Sequence, residues 1–166
     1  KATRKLHKAL AIHDFDKSYW AVIQGKAPAE AWECHQPIQK EDDEPAREAH
    51  TSFRVIESRK HEALASVADQ LDGHGDILTL VEAIPHTGRF HQIRRHLLHT
   101  GLPIVGDYRY SGIETSDQLG ELLGTDTRML LQAKSLTLDH PINGEKLTIT
   151  APVGENFQRC FPLLQG

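Results

Sequence analysis

The sequence predicts a single α+β domain with a mostly antiparallel sheet and helices laid over one side. Three observations favour this fold class: stretches that alternate apolar and polar residues, a hairpin pattern in the last third of the chain, and a helical pattern near its middle. Strands joined by hairpins, with helices packed on the sheet, are typical of α+β proteins. The chain has 166 residues and no internal repeat, so we expect one domain over residues 1–166.

Each element is predicted from its local pattern. Three stretches carry apolar side chains at helical spacing: 3–12, 61–71 and 116–123. Five stretches alternate as strands do: 16–25, 51–56, 76–83, 130–138 and 146–151. Pro141, Asn143 and Gly144 separate the last two strands, which predicts a hairpin turn at this point.

Residues 86–112 form the most informative segment, because they combine a helix start, cationic side chains and a helix stop. Thr87 is the expected N-cap, and Gly101 is the expected end of the helix. The sequence has no carboxylate between Glu82 and Asp107. Seven basic or imidazole side chains lie inside that gap: His86, Arg89, His91, Arg94, Arg95, His96 and His99. An anionic partner is the natural inference.

One arginine of this helix is expected on its buried side. Taking about 100° per residue from Phe90, Arg94 lies roughly 40° away, inside the apolar arc. A buried guanidinium cannot lose its proton, so Arg94 needs a buried carboxylate or phosphate partner unless its stem carries the charge to the surface. In the same helical projection, Leu98 lies on the apolar side. Gln92 and Arg95 point the other way, Arg95 as a solvated charge or a phosphate contact.

The same segment resembles a motif of the RluA family of RNA pseudouridine synthases. The family motif runs TGRxHQ(I/L)RxH and then HPIxGDxxYG; here residues 87–96 read TGRFHQIRRH and residues 102–112 read LPIVGDYRYSG. Leu102 replaces the family's histidine, and Ser111 interrupts the final Tyr-Gly pair. The agreement is long and ordered, which makes the resemblance specific.

A second match involves Tyr19. Residues 16–25, DKSYWAVIQG, are similar to the family's KxYxAxVxG strand. On its own, a tyrosine in such a strand is more often part of the core than functional. The resemblance implies that Tyr19 is the active-site aromatic residue, and residues 131–152 also look like the closing hairpin of the family.

The family's catalytic aspartate motif is not found in the sequence. In the family this residue lies in an HRLDxxTSG segment a few dozen residues before the tyrosine strand. Asp14 and Asp16 precede Tyr19 but lack the flanking Arg-Leu and Thr-Ser-Gly, so neither receives the catalytic role. The chain opens at Lys1 without a methionine. We therefore expect the C-terminal portion of a larger catalytic domain, incomplete on its N-terminal side. The resemblance implies the fold of the pseudouridine synthase catalytic domain, a mixed, mainly antiparallel sheet flanked by helices.

The resemblance implies an enzyme that isomerises a specific uridine in rRNA or tRNA to pseudouridine, after flipping the base out of its stack. Tyr19 would stack on the base, and Arg94 would pair with the nucleophilic aspartate, which is expected upstream of this chain. In the chain as given, Arg94 is expected to face an open cleft, contact a substitute anion such as Asp107, or bind solvent ions. No metal or cofactor is implied. The expected RNA contacts are Arg89, His91, Gln92, Arg95 and His96. The alternative is a catalytically inactive RNA-binding fragment or paralogue.

The net charge does not argue against an RNA partner. It is 19 minus 23, or −4, but much of the acidity is concentrated in a cluster that should form a solvated loop: Glu41, Asp42, Asp43, Glu44 and Glu48. Affinity for phosphate depends on the local patch more than on the sum.

A metal site is not predicted. His91 lies at roughly 100° and His96 at roughly 240° on the helix, so these histidines do not converge. Cys34 and Cys160 lie far apart without a CxxC motif, which indicates neither a disulfide framework nor a zinc knuckle. The sequence contains no apolar run of membrane-spanning length and no signal-peptide pattern, and we expect a cytoplasmic monomer.

Overall fold

Six antiparallel strands form one sheet in the order β2-β3-β4-β1-β5-β6. The computed structural model describes residues 3–4, 7, 16–42, 44–71 and 73–164. The strands are β1 (Asp16–Gln24), β2 (Ala31–Cys34), β3 (Thr51–Lys60), β4 (Ile77–Pro85), β5 (Leu131–Asp139) and β6 (Lys146–Thr150). The helices are α1 (Glu62–Ala65), α2 (Gln92–His99), α3 (Tyr108–Ser111), α4 (Ile113–Leu123) and α5 (Glu155–Cys160), with a 3-10 turn at Ala68–Gln70. This arrangement confirms the predicted α+β class.

The central strand β1 is buried on both faces. Val22 packs on one face with residues from α1, α4 and α5, including Leu64, Leu119 and Phe157. Ala21 and Ile23 pack on the other face with Ile93 and Leu97 from α2. Because successive side chains of a strand point to opposite faces, β1 separates two apolar cores. Helices therefore cover both sides of the sheet, which confirms the flanking helices that the resemblance implied. The expectation from the local patterns alone, of helices on one side, is wrong.

Several element boundaries differ from the predicted ones. The predicted helix at 61–71 divides into α1 and the 3-10 turn, with Leu64 as its buried anchor. The four-residue edge strand β2 was not predicted, because AWEC is too short to show an alternating pattern. Most of the predicted helix at 3–12 lies outside the described residues; Thr3, Arg4 and His7 are helical.

Cys34 and Cys160 are both buried, and no disulfide joins them. Burial raises the pKa of the Cys160 thiol to about 12. Among the described helices, none is both long enough and apolar enough to cross a membrane.

Candidate active site

A cavity of about 870 Å³ opens where β1 begins, β4 ends and α2 starts. Five of the predicted site residues line it: Tyr19, Arg89, His91, Gln92 and Arg94. Arg95 and His96, which the structure also describes, are not among its lining residues. The cavity thus brings together the tyrosine and the arginine that the sequence singled out, although they are 75 positions apart in the chain.

Tyr19 is placed by the centre of the sheet. It lies opposite Ala83 of β4 and Ala133 of β5, at an irregularity in the β1–β5 pairing. The side chain is half-buried and packs against the apolar core that includes Ile93 of α2. An aromatic ring is therefore held in the cavity wall by three strands and a helix.

Arg94 has the buried anionic partner that its position on the helix requires. Its Nε and Nη2 atoms donate to the two carboxylate oxygens of Asp107, at 2.8 and 2.7 Å. The side chain of Arg94 is 17% exposed and that of Asp107 is 1% exposed. The hydrogen bonds that Arg94 donates to Asp107 raise the pKa of Arg94, with burial acting in the opposite direction. The predicted anionic partner is confirmed, and it is Asp107.

The carboxylate of Asp107 is fixed by a loop that is bonded to the middle of the sheet. The backbone N–H of Val105 donates to the carbonyl of Val22 in β1, and the carbonyl of Val105 accepts from the N–H of Leu130. Gly106 has φ of +79°, and a Cβ atom there would lie 2.3 Å from the carbonyl oxygen of Arg128. Only glycine fits this conformation and this space. The loop then delivers Asp107, whose Oδ1 also accepts a 3.3 Å hydrogen bond from the backbone of Tyr110 at the start of α3.

The start of α2 differs from the predicted one. The N-cap residue is His91, in the left-handed conformation with φ of 51°, and not Thr87. The Thr87 hydroxyl instead donates to Gln92 Oε1 and accepts from the backbone of His50. At the other end, Gly101 has φ of +77° and closes the helix, which confirms the predicted stop.

His91 faces the cavity as a largely uncharged imidazole. Burial lowers its pKa, and the nearby guanidinium groups of Arg94 and Arg109 lower it further. Its Nδ1 lies 3.1 Å from the hydroxyl of Tyr110, and its ring stacks on Phe90. Its predicted contact with RNA is therefore that of a neutral side chain.

Gln92 and His96 belong to a buried polar network. Gln92 donates to the carbonyl of His50 and the hydroxyl of Thr51, and its oxygen accepts two hydrogen bonds. His96 is fully buried, with Nδ1 at 2.8 Å from Thr51 Oγ1 and Nε2 at 2.9 Å from the carbonyl of Gln36. A fully buried side chain cannot touch RNA, and the amide of Gln92 is already saturated. The predicted RNA contacts of these two residues are withdrawn.

The helical wheel also placed two other side chains incorrectly. Leu98, expected on the apolar side, is 40% exposed. Arg95, expected in solvent, is half-buried and donates to the backbone carbonyl of Gln39 at 2.5 Å. Arg89 is similarly half-buried and donates to the carbonyl of Glu48. Both arginines keep N–H donors beyond the one bonded to a carbonyl.

Several side chains that line the cavity were not predicted as site residues. Asp16 and Lys17 line the cavity at the start of β1, whereas Asp14 lies outside the described residues. His86 also lines the cavity and is exposed. Asp107 was expected only as one possible substitute anion for Arg94, and the structure shows that the two side chains pair.

The histidines of α2 do not converge on one point, as expected, since His91 and His96 bond to unrelated groups. The described residues bring a different set together. The ligand atoms of Glu33, His35 and His50 all lie within 4.8 Å of one another. No sequence spacing predicted this cluster, because it joins the end of β2 to the start of β3.

Comparisons with known proteins agree with the resemblance seen in the sequence. A family model described as RNA pseudouridylate synthase matches residues 1–99. The chain is 32% identical over 165 residues to the ribosomal large subunit pseudouridine synthase C of Yersinia pestis, covering 99% of this chain and 49% of that protein. It is 30% identical over 164 residues to the protein of the same name from Escherichia coli K12, covering 99% and 50%. The chain therefore spans about half the length of the curated relatives it matches.

Two human solved structures have a similar fold. RNA Pseudouridylate Synthase Domain Containing 1 aligns with a TM-score of 0.68 at 21% identity, over 90% of this chain and 59% of that one. RNA Pseudouridylate Synthase Domain Containing 4 aligns with a TM-score of 0.67 at 20% identity, over 96% and 66%. These alignments confirm the predicted fold type.

Proposed function

Because this chain belongs to the RNA pseudouridylate synthase family, we propose that it forms one wall of the catalytic cleft of an enzyme that isomerises a uridine of ribosomal RNA to pseudouridine. The observation that carries the proposal is the cavity whose wall contains both Tyr19 and the Asp107-bound Arg94. The names of the curated relatives favour large-subunit ribosomal RNA as the substrate.

The cavity suits a flipped nucleotide. Its volume of about 870 Å³ is within the range of small-molecule sites, and a base must leave its stack before a side chain can reach the glycosidic bond. Tyr19, Ile84 and Leu131 contribute aromatic and apolar surface to the wall. A uracil ring would stack on Tyr19.

Arg94 is suited to hold a second carboxylate. A guanidinium has five N–H donors, and Asp107 takes only two of them. Donors on Nη1 and Nη2 remain for an anion that enters the cavity. We assign them to the nucleophilic aspartate, supplied from outside these 166 residues, which Arg94 would keep ionised and oriented. Asp107 then acts as a positioning residue that fixes the direction of the guanidinium.

In the reaction as proposed, the aspartate attacks C1′ of the ribose and forms an ester bond as the bond from C1′ to N1 of the base breaks. After the base has turned, C5 attacks C1′ and expels the aspartate, the C5 proton is lost and N1 takes up a proton. The aspartate is regenerated, and no atom is exchanged with a second substrate. The residues of this chain bind the base, exclude water and orient the nucleophile.

The test is release of tritium from ribosomal RNA that contains [5-³H]uridine, since forming the carbon–carbon bond expels the C5 hydrogen. The protein expressed from its complete reading frame should release tritium, and the 166-residue chain alone should not. No release by the complete protein would reject the proposed function. Turnover by the short chain would instead make Asp16 the candidate nucleophile, because it lines the cavity and Asp107 is committed to Arg94.

A further inference from the structure

Three imidazole rings stack in a row beside the cavity. The centroids of His35 and His50 lie 4.1 Å apart with planes at 15°, and those of His50 and His86 lie 4.2 Å apart at 23°. We call His35, His50 and His86 the histidine column. His86, at one end, lines the same cavity as Tyr19 and Arg94.

Strand register produces the column. Cys34 pairs with Thr51 across β2 and β3, and Thr51 pairs with Pro85 across β3 and β4. The three histidines lie one position beyond this row of paired residues, since His35 follows Cys34, His50 precedes Thr51 and His86 follows Pro85. They therefore form one row at the ends of three adjacent strands. Strands lie about 4.8 Å apart, which suits face-to-face contact between flat rings.

Glu33 and Ser52 hold the column in place. Glu33 Oε2 lies 2.5 Å from His50 Nε2 and accepts a 2.8 Å hydrogen bond from the hydroxyl of Ser52. Ser52 Oγ lies 2.6 Å from His86 Nε2, and since the serine proton is directed at Glu33, the imidazole is the donor. The hydrogen bonds from Ser52 and His50 lower the pKa of Glu33, so its carboxylate is ionised at neutral pH and engaged by these neighbours.

The ring geometry does not suit a metal, although Glu33, His35 and His50 are close enough to suggest one. A metal bound by histidine lies in the plane of the ring, about 2 Å from the nitrogen. Two rings stacked 4.1 Å apart with nearly parallel planes direct their lone pairs side by side, and not toward one point. The stacked arrangement presents ring faces, and ring faces bind other flat groups.

We propose that the histidine column is a stacking platform for unpaired RNA bases at the edge of the cavity, with His86 as the ring that receives a base. The proposal rests on the proposed function, because it requires RNA in the cavity. His86 is exposed, and no second ring stacks on it within the described part of the chain. Single-stranded RNA is bound by aromatic faces next to cationic groups, and Arg89 lines the same cavity.

The experiment measures binding of the complete protein to a short single-stranded RNA that carries one fluorescent purine analogue. Anisotropy gives the affinity, and quenching of the analogue reports stacking. His86→Ala should weaken binding about fivefold or more and reduce the quenching, because one base–ring contact is lost. His86→Phe should retain both within about twofold, since the ring face is kept. His140→Ala, in the turn between β5 and β6, is the matched control and should bind like the unmodified protein.

Several results would overturn the proposal. Unchanged affinity and quenching in His86→Ala would show that no base stacks there. Loss of binding in His86→Phe with rescue by His86→Lys would indicate a phosphate contact in place of stacking. Stoichiometric zinc binding that His35→Ala abolishes would show a metal site. Tritium release by the unmodified protein, measured in parallel, separates failure of this proposal from failure of the proposed function.

Discussion

The two sides of helix α2 use different interactions. On one side Arg94 forms a charged, bidentate pair with Asp107 at the cavity. On the other side Arg95 and His96 bond to the neutral backbone carbonyls of Gln39 and Gln36. The neutral contacts tie the helix to the segment between β2 and β3. The charged side keeps N–H donors that Asp107 does not use, and it faces the cavity. The helix is therefore anchored on one side and presents a guanidinium to the cavity on the other.

Removing the ion pair between Arg94 and Asp107 should have the largest effect on stability. In the 166-residue chain, Arg94→Ala leaves the 1%-exposed carboxylate of Asp107 without its partner. The free energy of unfolding should decrease by about 3–5 kcal/mol, measured by denaturant titration. Arg94→Lys should lose less, because it keeps the charge but not the paired geometry.

A double variant provides the control for this ion pair. Replacing both Arg94 and Asp107 by apolar residues removes the uncompensated charge, so it should cost less than Arg94→Ala alone. If Arg94→Ala costs less than about 1 kcal/mol, the pair is not buried as described.

Acid should destabilise the protein through His96, on the side of α2 that bonds to neutral carbonyls. Burial lowers the pKa of His96, and His99, His35 and His50 lower it further. The unfolded chain then takes up a proton that the folded chain resists, so stability is full above about pH 6.5 and is lost as the pH falls toward the lower folded value.

The measurement is the free energy of unfolding between neutral pH and about pH 5. Burial also lowers the pKa of His61 and His91, and these residues contribute with the same sign. His96→Gln should therefore reduce the pH dependence without removing it. An identical slope in this variant and in the unmodified chain would show that His96 is not the buried neutral group.

Arg95→Ala should have the smallest effect. The half-buried side chain loses one hydrogen bond to a carbonyl, so the expected cost is about 1 kcal/mol. The sequence predicted a solvated surface position for Arg95, where the cost of the substitution would be at most about 0.5 kcal/mol. The cost expected from the structure is larger. A cost equal to that of Arg94→Ala would remove the distinction between the two sides.

The sheet was largely predictable, because strand alternation is a local property. The pattern of residues 16–25 predicted β1, and its burial on both faces agrees with its central position. The helix faces were less predictable. Gln92 and His96 are polar residues whose burial depends on Thr51, a partner more than 40 positions away.

Charge arguments predicted part of the site. A guanidinium on the buried side of a helix needs an anion, and this requirement is visible in the sequence of α2. The identity of that anion depends on the loop before α3, where Gly106 and Asp107 adopt a conformation set by distant backbone. The histidine column was invisible for the same reason, since only strand register aligns its residues.

The most direct test of the account compares Arg94→Ala with Arg95→Ala in the complete protein, using tritium release from ribosomal RNA. Arg94→Ala should lower the turnover number on the order of 100-fold or more, while RNA affinity changes little, because the nucleophile loses its oriented partner. Arg95→Ala should retain turnover within a few-fold. Equal turnover in the two variants would contradict the proposed role of Arg94, which is to orient the nucleophilic aspartate.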